Sequence, residues 1–278
     1  MSPAWQIRNR LINLDSPVIM GILNVTPDSF YDGGKYSDID IAFKKAREIV
    51  KSGADIIDIG GESSRPGAAQ ISDKEEINRV IPVIKKIKAY YDIPLSIDTR
   101  KAVVAQKALA EGVEIVNDIS AMNDPEMKSV VKQFNAGFII MHMKGEPATM
   151  QNSPMDEKNI IDDVSSFLKN KISDAVDSGI GKQQIVIDPG IGFGKTFKAN
   201  ELLINHLDKL KILGSPILIG ASRKKFIGAR TDSPANNRLA GSIAAHVIAY
   251  LRGAIVFRTH DVKETREALT LAQAITCI

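Results

Sequence analysis

The sequence predicts a (β/α)8 TIM barrel, a fold of the α/β class, in a chain of 278 residues. Eight short runs rich in β-branched and other apolar residues recur along the chain, as expected for parallel strands covered on both faces. Segments with helical periodicity follow most of these runs, and nearly every run ends in a polar side chain. Strand and helix alternating eight times favour a closed barrel over an open doubly wound sheet.

The predicted strands extend from residue 18 to residue 257. They are Val18–Leu23, Asp55–Ile59, Leu95–Ile97, Glu114–Asn117, Gly137–Met141, Ile185–Ile187, Ile217–Ile219 and Ala254–Phe257. Because no linker, fixed repeat or low-complexity segment divides the chain, we expect residues 1–278 to form a single barrel domain. Residues 1–14 lie outside the alternation, and we expect Ala4 to Leu14 to form a short hairpin across the barrel floor.

The segments between the runs carry the signals of amphipathic helices. The serine and aspartates between positions 37 and 40 are predicted to cap a helix that ends at Gly53. Two further apolar stripes have the same helical spacing, one ending at Gly112 and a longer one ending at Gly179. Each strand is therefore predicted to return to the next through a helix packed on the outside of the barrel.

Composition limits the classes of partner. The net charge is +3, with 44% hydrophobic and 25% charged residues, so binding to nucleic acid or a membrane through a strongly charged surface is not expected. Any preference for anions should be built into a pocket. The single cysteine, Cys277, has no partner in the chain, the start is polar, and no apolar run approaches the roughly 20 residues of a membrane span. These features predict a cytoplasmic protein that acts on small molecules.

In such a barrel the active site lies at the C-terminal ends of the strands. The residues at those positions are Asn24, Gly60-Gly61-Glu62, Asp98, Asn117-Asp118, His142, Asp188, Ser222-Arg223-Lys224 and Arg258-Thr259-His260. One polar strand end has little meaning, but polar groups after nearly all of the strands predict a single polar cavity.

Two carboxylates and an amide form the most informative part of this set. Asp98 and Asp188 each follow an apolar strand directly, and Asn117 and Lys224 follow two others. Taken alone, Asp98 is explained equally well as the cap of the next helix. Taken together, the acceptors, amide and cation suit a flat heterocycle rich in N–H donors. Paired carboxylates also occur in glycosidases, but a sugar site usually needs more aromatic platforms than 5% aromatic residues supply.

Basic residues at the same end of the barrel predict a phosphate site. Loops after the seventh and eighth strands often hold phosphate in barrels, which makes Arg258 and His260 the stronger candidates. Arg65, in the SSRPG loop after the second strand, is a weaker one because a surface arginine is usually only solvated. With Lys224, these residues are suited to holding a diphosphate through bidentate contacts.

Other motifs do not support alternative chemistries. The segment GIGFGKT, from Gly190 to Thr196, lacks the spacing of a Walker A motif, and we interpret it as a tight, flexible loop beside Asp188. His142 has no second histidine at metal-ligand spacing, which disfavours a zinc site, and His246 is interpreted as a packed histidine. No Gly-x-Ser-x-Gly elbow is present.

Nine segments in order resemble the dihydropteroate synthase family, the target of sulfonamides. They are MGILNVTPDSFYDGG, DIIDIGGESSRPGA, SIDTRKA, VNDISA, MHMKG, IDPGIGFGKT, IGASRKKFIG, RLAGS and FRTHDVKET. The resemblance covers essentially the whole chain after about the first dozen residues. It implies a barrel enzyme, usually a homodimer, that joins 6-hydroxymethyl-7,8-dihydropterin diphosphate to 4-aminobenzoate with Mg2+. The products would be diphosphate and 7,8-dihydropteroate.

The resemblance also implies roles for individual residues. Those implied to bind the pterin are Asp98, Asn117, Asp188 and Lys224. Those implied to handle the diphosphate are Asn24, Ser64, Arg65, Arg258 and His260, with Asn24 as the metal ligand. Phe30, Pro66 and Phe193 would wall the aminobenzoate, and the implied catalytic residues are Asp32, Arg65 and Lys224.

The implied chemistry agrees with the residues present. Diphosphate leaves once Mg2+ and arginines neutralise its charge, and the methylene becomes a cation delocalised into the pterin. Asp32 would stabilise that cation, an unprotonated aromatic amine would attack it, and closed loops would exclude water. Two departures from the family pattern are Ser64, where many relatives have threonine, and Lys225, where several have serine near the aminobenzoate carboxylate.

Two other functions are alternatives to the synthase reaction. A pterin-dependent methyltransferase domain shares the pterin-binding strand ends but would not need the SSRPG and TPDSFYDGG loops. A non-catalytic pterin-binding protein would be expected to lack loop residues such as Asp32, Arg65 or His260, all of which are present.

Overall fold

The computed structural model describes residues 3–26, 35–64 and 67–276. Strands in these ranges are β1 (Ala4–Ile7), β2 (Arg10–Asn13), β3 (Val18–Asn24), β4 (Ile56–Gly60), β5 (Leu95–Asp98), β6 (Ile115–Asp118), β7 (Gly137–Met141), β8 (Ile185–Asp188), β9 (Ile217–Ile219) and β10 (Ala254–Thr259). The α-helices are α1 (Lys35–Lys51), α2 (Asp73–Tyr90), α3 (Ala102–Ala110), α4 (Met127–Phe134), α5 (Ile160–Asp177), α6 (Phe197–Asn205), α7 (Lys225–Thr231), α8 (Leu239–Leu251) and α9 (Val262–Thr276).

Strands β3 to β10 close into one parallel barrel, with β10 hydrogen-bonded to both β9 and β3. The predicted (β/α)8 barrel is therefore confirmed. Five strands extend beyond their predicted ends to include a polar residue, because the backbone ladder continues past the apolar run. Asn24 pairs with Gly60, Gly60 with Asp98, and Asp98 with Asn117. These polar side chains are thus mounted on rigid strands, where their directions are fixed.

Alternation along the strands divides the barrel interior into layers. On β4, Ile57 and Ile59 pack outwards against the helices, whereas Ile56 belongs to the cluster inside the barrel. The inner cluster also contains Met20, Ile115, Ile139, Val186, Leu218 and Val256. We call these seven residues the apolar layer. Because side chains alternate with a period of two, the residues two positions further along point into the same interior nearer the C-terminal ends.

A hairpin formed by β1 and β2 covers the other end of the barrel. Trp5 is fully buried in the inner cluster, and its indole nitrogen donates to the Gln184 carbonyl at 2.7 Å. Gly137 is required at this contact, since a Cβ atom there would lie 2.5 Å from Ile7. The N-terminal end of the barrel is therefore filled with apolar side chains, which leaves the C-terminal end for a cavity.

Helix ends follow the glycine signals, but one predicted start is wrong. Helices α1, α3 and α5 each end two residues before a glycine with positive φ: Gly53 (90°), Gly112 (95°) and Gly179 (95°). The predicted cap between positions 37 and 40 is wrong because α1 already begins at Lys35. Asp38 lies in the first turn, where it interacts favourably with the helix dipole. None of the helices in the described ranges is long and apolar enough to span a membrane.

Candidate active site

A cavity of about 330 Å³ opens at the C-terminal ends of the barrel strands. It is lined by Ser64, Asp98, Asn117, Ile119, Met141, Asp188, Ile191, Phe193, Gly220, Lys224 and Arg258. Seven of these residues were predicted from the sequence as site residues: Ser64, Asp98, Asn117, Asp188, Phe193, Lys224 and Arg258. The structure therefore brings side chains that lie up to 194 positions apart to one polar cavity with apolar walls, as strand-end residues of a barrel should.

Arg258 is held between two carboxylates at the base of this cavity. Its Nε donates to Asp58 Oδ2 and its Nη2 donates to Asp98 Oδ2, each at 2.6 Å. Burial raises the pKa of Asp98 to about 7, against the attraction of Arg258, which acts in the opposite direction. A charged hydrogen-bond network of this kind fixes the guanidinium plane before any ligand arrives.

Asp58 was not identified as a site residue in the sequence, yet it is central to this network. It lies on β4 two residues after Ile56, fully buried, and also accepts a hydrogen bond from Asn117 Nδ2 at 3.2 Å. The sequence signal was the carboxylate inside the apolar run DIIDIG, where an unpaired charge would be costly. Its two partners lie on β6 and β10, so only the closed barrel reveals them.

Neither aspartate at the cavity caps a helix, which was the alternative explanation from the sequence. The first backbone N–H of α3 donates to Asp124 Oδ2, not to Asp98. Asp188 Oδ1 accepts from Gly190 N at 2.7 Å, and α6 is capped instead by Thr196. Burial raises the pKa of Asp188 above its usual range. Both carboxylates therefore line the cavity and cap no helix.

Lys224 and Phe193 form one wall of the cavity. The Lys224 ammonium lies 4.0 Å from the centre of the Phe193 ring, a cation–π contact. Burial lowers the pKa of Lys224 to about 8, and the nearby Arg258 charge acts in the same direction. The neighbouring Lys225 is exposed at the start of α7. Lys224 thus presents a cation beside an aromatic face.

The loop from Gly190 to Thr196 is tight, as predicted, but it is anchored. Lys195 is buried, and its ammonium donates to three backbone carbonyls, those of His142, Gly190 and Phe193, at 3.3, 2.9 and 3.0 Å. A Cβ atom on Gly190, which has a φ of 69°, would lie 1.9 Å from the His142 carbonyl oxygen. The three hydrogen bonds of Lys195 hold together the loop that carries Phe193, and the predicted flexibility of the loop stays a prediction.

Asn24 lies at the end of β3, beside Asp98 and half-buried. A Cβ atom built on Gly60 would lie 3.7 Å from Asn24 Oδ1 and 3.7 Å from Asp98 Oδ2, so the glycine leaves open space between these two oxygens. Across residues 3–26, 35–64 and 67–276, no three His, Cys, Asp or Glu side chains are grouped to hold a metal. Any metal here would take Asn24 and ligand oxygens.

His260 lies at the mouth of the barrel, outside the lining of the cavity. Its Nδ1 is 3.0 Å from Ser222 Oγ, and Ser222 also accepts from the His260 backbone N–H at 3.2 Å. Arg223 points away from the cavity and pairs with Asp261. The histidine is thus exposed next to the cavity, and its predicted contact with diphosphate remains a prediction.

Several other strand-end residues have structural roles. Asp118 faces away from the barrel interior and accepts hydrogen bonds from Ser120 and the Met122 backbone. Glu62 forms ion pairs with Arg100 and Lys101 at 2.8 and 2.7 Å, which anchors the chain just before Ser64.

The two histidines of the apolar segments are packed. His246 is fully buried against Phe257, as predicted, and His142 packs edge-on against Phe167 with ring centroids 4.8 Å apart. Four predicted site residues, Phe30, Asp32, Arg65 and Pro66, lie outside the described residues, as does Cys277. Their roles remain predictions.

The fold and the cavity define a TIM-barrel enzyme whose site suits a flat, hydrogen-bonding ligand with an anionic group. Comparisons with known proteins give the family. Residues 20–260 match the family described as Pterin binding enzyme. The dihydropteroate synthase of Clostridium beijerinckii is 45% identical over 259 residues, which cover 92% of this chain and 93% of that enzyme.

Solved structures agree over the full length. A Xanthomonas albilineans dihydropteroate synthase with 4-aminobenzoic acid has a TM-score of 0.94 at 41% identity, with 100% of both chains covered. A Yersinia pestis dihydropteroate synthase in complex with a sulfonamide drug has a TM-score of 0.93 at 40% identity, covering 99% of this chain and 100% of that one. The chain therefore belongs to the dihydropteroate synthase family of pterin-binding enzymes.

Proposed function

We propose that this chain condenses 6-hydroxymethyl-7,8-dihydropterin diphosphate with 4-aminobenzoate to give 7,8-dihydropteroate and diphosphate. The observation that carries the proposal is the set of Asp98, Asn117 and Asp188 around one cavity in a chain of this family. This chain matches dihydropteroate synthases over more than 90% of their length, and none of the site's features favours the methyltransferase alternative.

The pterin is proposed to bind between the strand-end acceptors. Its amino group and ring N–H groups are donors, and the ring has few other ways to satisfy them once water is displaced. Asp98 and Asp188 supply carboxylate oxygens, and Asn117 supplies an amide. Met141 and Ile119 line the same cavity with apolar atoms, which suits the faces of the ring. The reacting methylene is proposed to face the open end of the barrel.

The aminobenzoate is proposed to bind beside Phe193 and Lys224. The anchored loop holds the aromatic ring of Phe193 in a fixed position, against which a second flat ring can pack. Its amine attacks in the unprotonated form, so no strong base is needed. Phe30 and Pro66 are proposed as further walls, and Asp32 and Arg65 as catalytic residues, as the family resemblance implies. Lys225, the exposed cation that follows Lys224 in the sequence, is proposed to favour the carboxylate.

The diphosphate is proposed to interact with Ser64, Arg65, Arg258 and His260. Asn24 is proposed to hold Mg2+, because this ion takes oxygen ligands and usually binds through one or two protein oxygens plus phosphates and water. Within the described residues, Asn24 Oδ1 lies close to Asp98 Oδ2 and no larger acidic cluster is present, which fits that preference. When bound, the ion would neutralise charge on the leaving diphosphate. Arg258 is already ion-paired, so it is proposed to act as an oriented donor.

A homodimer is proposed on helices α8 and α9, which pack side by side. Ile248 and Leu251 on α8 are 46% and 56% exposed, and Leu271 and Ile275 on α9 are each 62% exposed. Adjacent exposed apolar groups of this kind favour an interface with a second copy. Light scattering should give a dimer mass that Leu251→Lys lowers; a monomeric wild-type protein would contradict the proposal.

A turnover assay tests the reaction. Purified protein with dihydropterin diphosphate, labelled 4-aminobenzoate and Mg2+ should form labelled dihydropteroate and release diphosphate, and EDTA should stop the reaction. A sulfonamide should compete with 4-aminobenzoate. Pterin binding with no product under any of these conditions would contradict the proposed function.

A further inference from the structure

Asp58 contacts two residues of the cavity while lining no part of the cavity itself. Its Oδ2 accepts from Arg258 Nε and from Asn117 Nδ2, and both partners line the cavity. Its Oδ1 is buried without a hydrogen-bond partner in the part of the chain that the structure describes. The residue is therefore placed to act on a ligand only through other side chains.

The contact with Asp58 decides which end of the Asn117 amide faces the cavity. A carboxylate oxygen only accepts, so Asn117 must turn its NH2 group toward Asp58. The amide oxygen then points to the opposite side, toward the cavity. The cavity consequently presents three acceptors, from Asp98, Asn117 and Asp188, to a ligand rich in N–H donors. Without Asp58, the amide is free to present its donor instead.

The contact with Arg258 has a parallel effect. The guanidinium is shared, with Nε on Asp58 and Nη2 on Asp98, so only part of the Asp98 carboxylate is occupied. If Asp58 lost its charge, the guanidinium would pair with Asp98 alone, and a bidentate contact would occupy acceptor sites that a ligand needs.

Stability does not account for Asp58. A buried ion pair often stabilises a fold less than apolar residues of the same volume, and the orphaned Oδ1 adds a desolvation cost. The neighbouring interior position in the ladder is Ser96, whose hydroxyl is also buried and has no partner in the described ranges. Both polar groups are costly to bury, but of the two only Asp58 accepts hydrogen bonds from residues that line the cavity, Asn117 and Arg258.

We propose that Asp58 is a positioning residue, which turns the Asn117 oxygen toward the pterin and keeps Arg258 from covering Asp98. The inference rests on the proposed function and deepens it, since it assigns the acceptor pattern of the pterin subsite to a residue outside the cavity.

The test measures affinity for 6-hydroxymethylpterin by titration calorimetry with the full-length protein. Asp58→Leu keeps nearly the same shape and removes both the charge and the hydrogen-bond acceptor, which an asparagine would retain, and it should raise the Kd about ten- to a hundredfold. The KM for 4-aminobenzoate should change less than about twofold, because that subsite is not oriented by Asp58. Ser96→Ala, which removes a buried polar atom from the neighbouring strand, is the matched control and should leave the Kd unchanged. Should Asp58→Leu fail to fold, Asp58→Ala carries the same expectation.

A double-mutant cycle with Asn117→Ala separates positioning from a structural role. If Asp58 acts partly through Asn117, the double variant should bind much more tightly than the product of the two single effects predicts. Single effects that multiply in the double variant, an unchanged Kd in Asp58→Leu, or an equal loss in Ser96→Ala would each overturn the inference. A wild-type protein that does not bind 6-hydroxymethylpterin would instead contradict the proposed function.

Discussion

The apolar layer and the polar cavity are built on the same strands only two residues apart. On β6, Ile115 packs inside the barrel and Asn117 lines the cavity, and on β8 the same relation holds between Val186 and Asp188. The register is shared, so nothing in the backbone distinguishes the two positions. The difference lies in what each layer does: one buries apolar surface, and the other buries carboxylates and cations at a cost. Stability and binding are therefore separable along a single strand.

The largest effect is expected from Asp188→Ala. The variant removes a buried carboxylate whose free oxygen faces the cavity, so pterin binding should be lost and kcat/KM should fall by about a thousandfold. The melting temperature should change little, because the lost hydrogen bond from Gly190 N is offset by the removal of a carboxylate that is costly to bury. Steady-state kinetics and thermal denaturation check both parts. Near-normal turnover would remove Asp188 from the pterin subsite.

The opposite pattern is expected from Ile115→Ala in the apolar layer. This variant leaves a cavity in the inner cluster and should lower the free energy of unfolding by about 2–5 kcal/mol. Its kcat/KM per folded molecule should stay within about twofold of wild type. Leu11→Ala, at an exposed position of the hairpin, is the control and should change neither quantity. A large loss of kcat/KM in folded Ile115→Ala would show that the two layers are not separable.

An intermediate effect is expected from Lys195→Met, a change at the edge of the cavity. Three carbonyls lose their donor, so the loop that carries Phe193 should loosen. The KM for 4-aminobenzoate should rise about tenfold, with a smaller change in pterin affinity. Lys198→Met is the matched control, since Lys198 is exposed on α6. Equal KM values in the two variants would mean that Lys195 does not hold this wall.

The smallest expected effect is the pH dependence of the polar layer. Burial raises the pKa of Asp98 to about 7, so the deprotonated carboxylate becomes the main form of Asp98 as the pH rises through 7. Because the carboxylate accepts hydrogen bonds from the pterin N–H groups, pterin affinity should increase severalfold over this range. The free energy of unfolding should change in the opposite direction. Because the pKa of Asp98 is higher in the folded than in the unfolded protein, protonation of Asp98 stabilises the fold fully below about pH 4, and this stabilisation is lost as the pH rises through about 7.

Asp98→Asn isolates that contribution. Melting curves and calorimetric titrations from about pH 4 to about pH 8 should show a flatter dependence in the variant for both quantities. Parallel curves for wild type and variant would show that Asp98 does not titrate in this range.

The barrel and most of the cavity were predictable from the sequence because both follow from local patterns. Apolar runs that stop at Asp98, Asn117 or Asp188 indicate a strand and a polar end at once. Asp58 was missed because it interrupts an apolar run by one residue, and its partners are 59 and 200 positions away. The role of Lys195 could not be predicted for a related reason, since the carbonyls to which it donates come together only in the folded loop.

A crystal structure of this protein soaked with 6-hydroxymethylpterin would show whether the strand-end acceptors bind the pterin. We expect the ring in the cavity, with its N–H groups on Asp98, Asn117 and Asp188, and with the Asn117 NH2 group still directed to Asp58. A pterin bound elsewhere, or one that turns the Asn117 amide away from Asp58, would contradict this expectation.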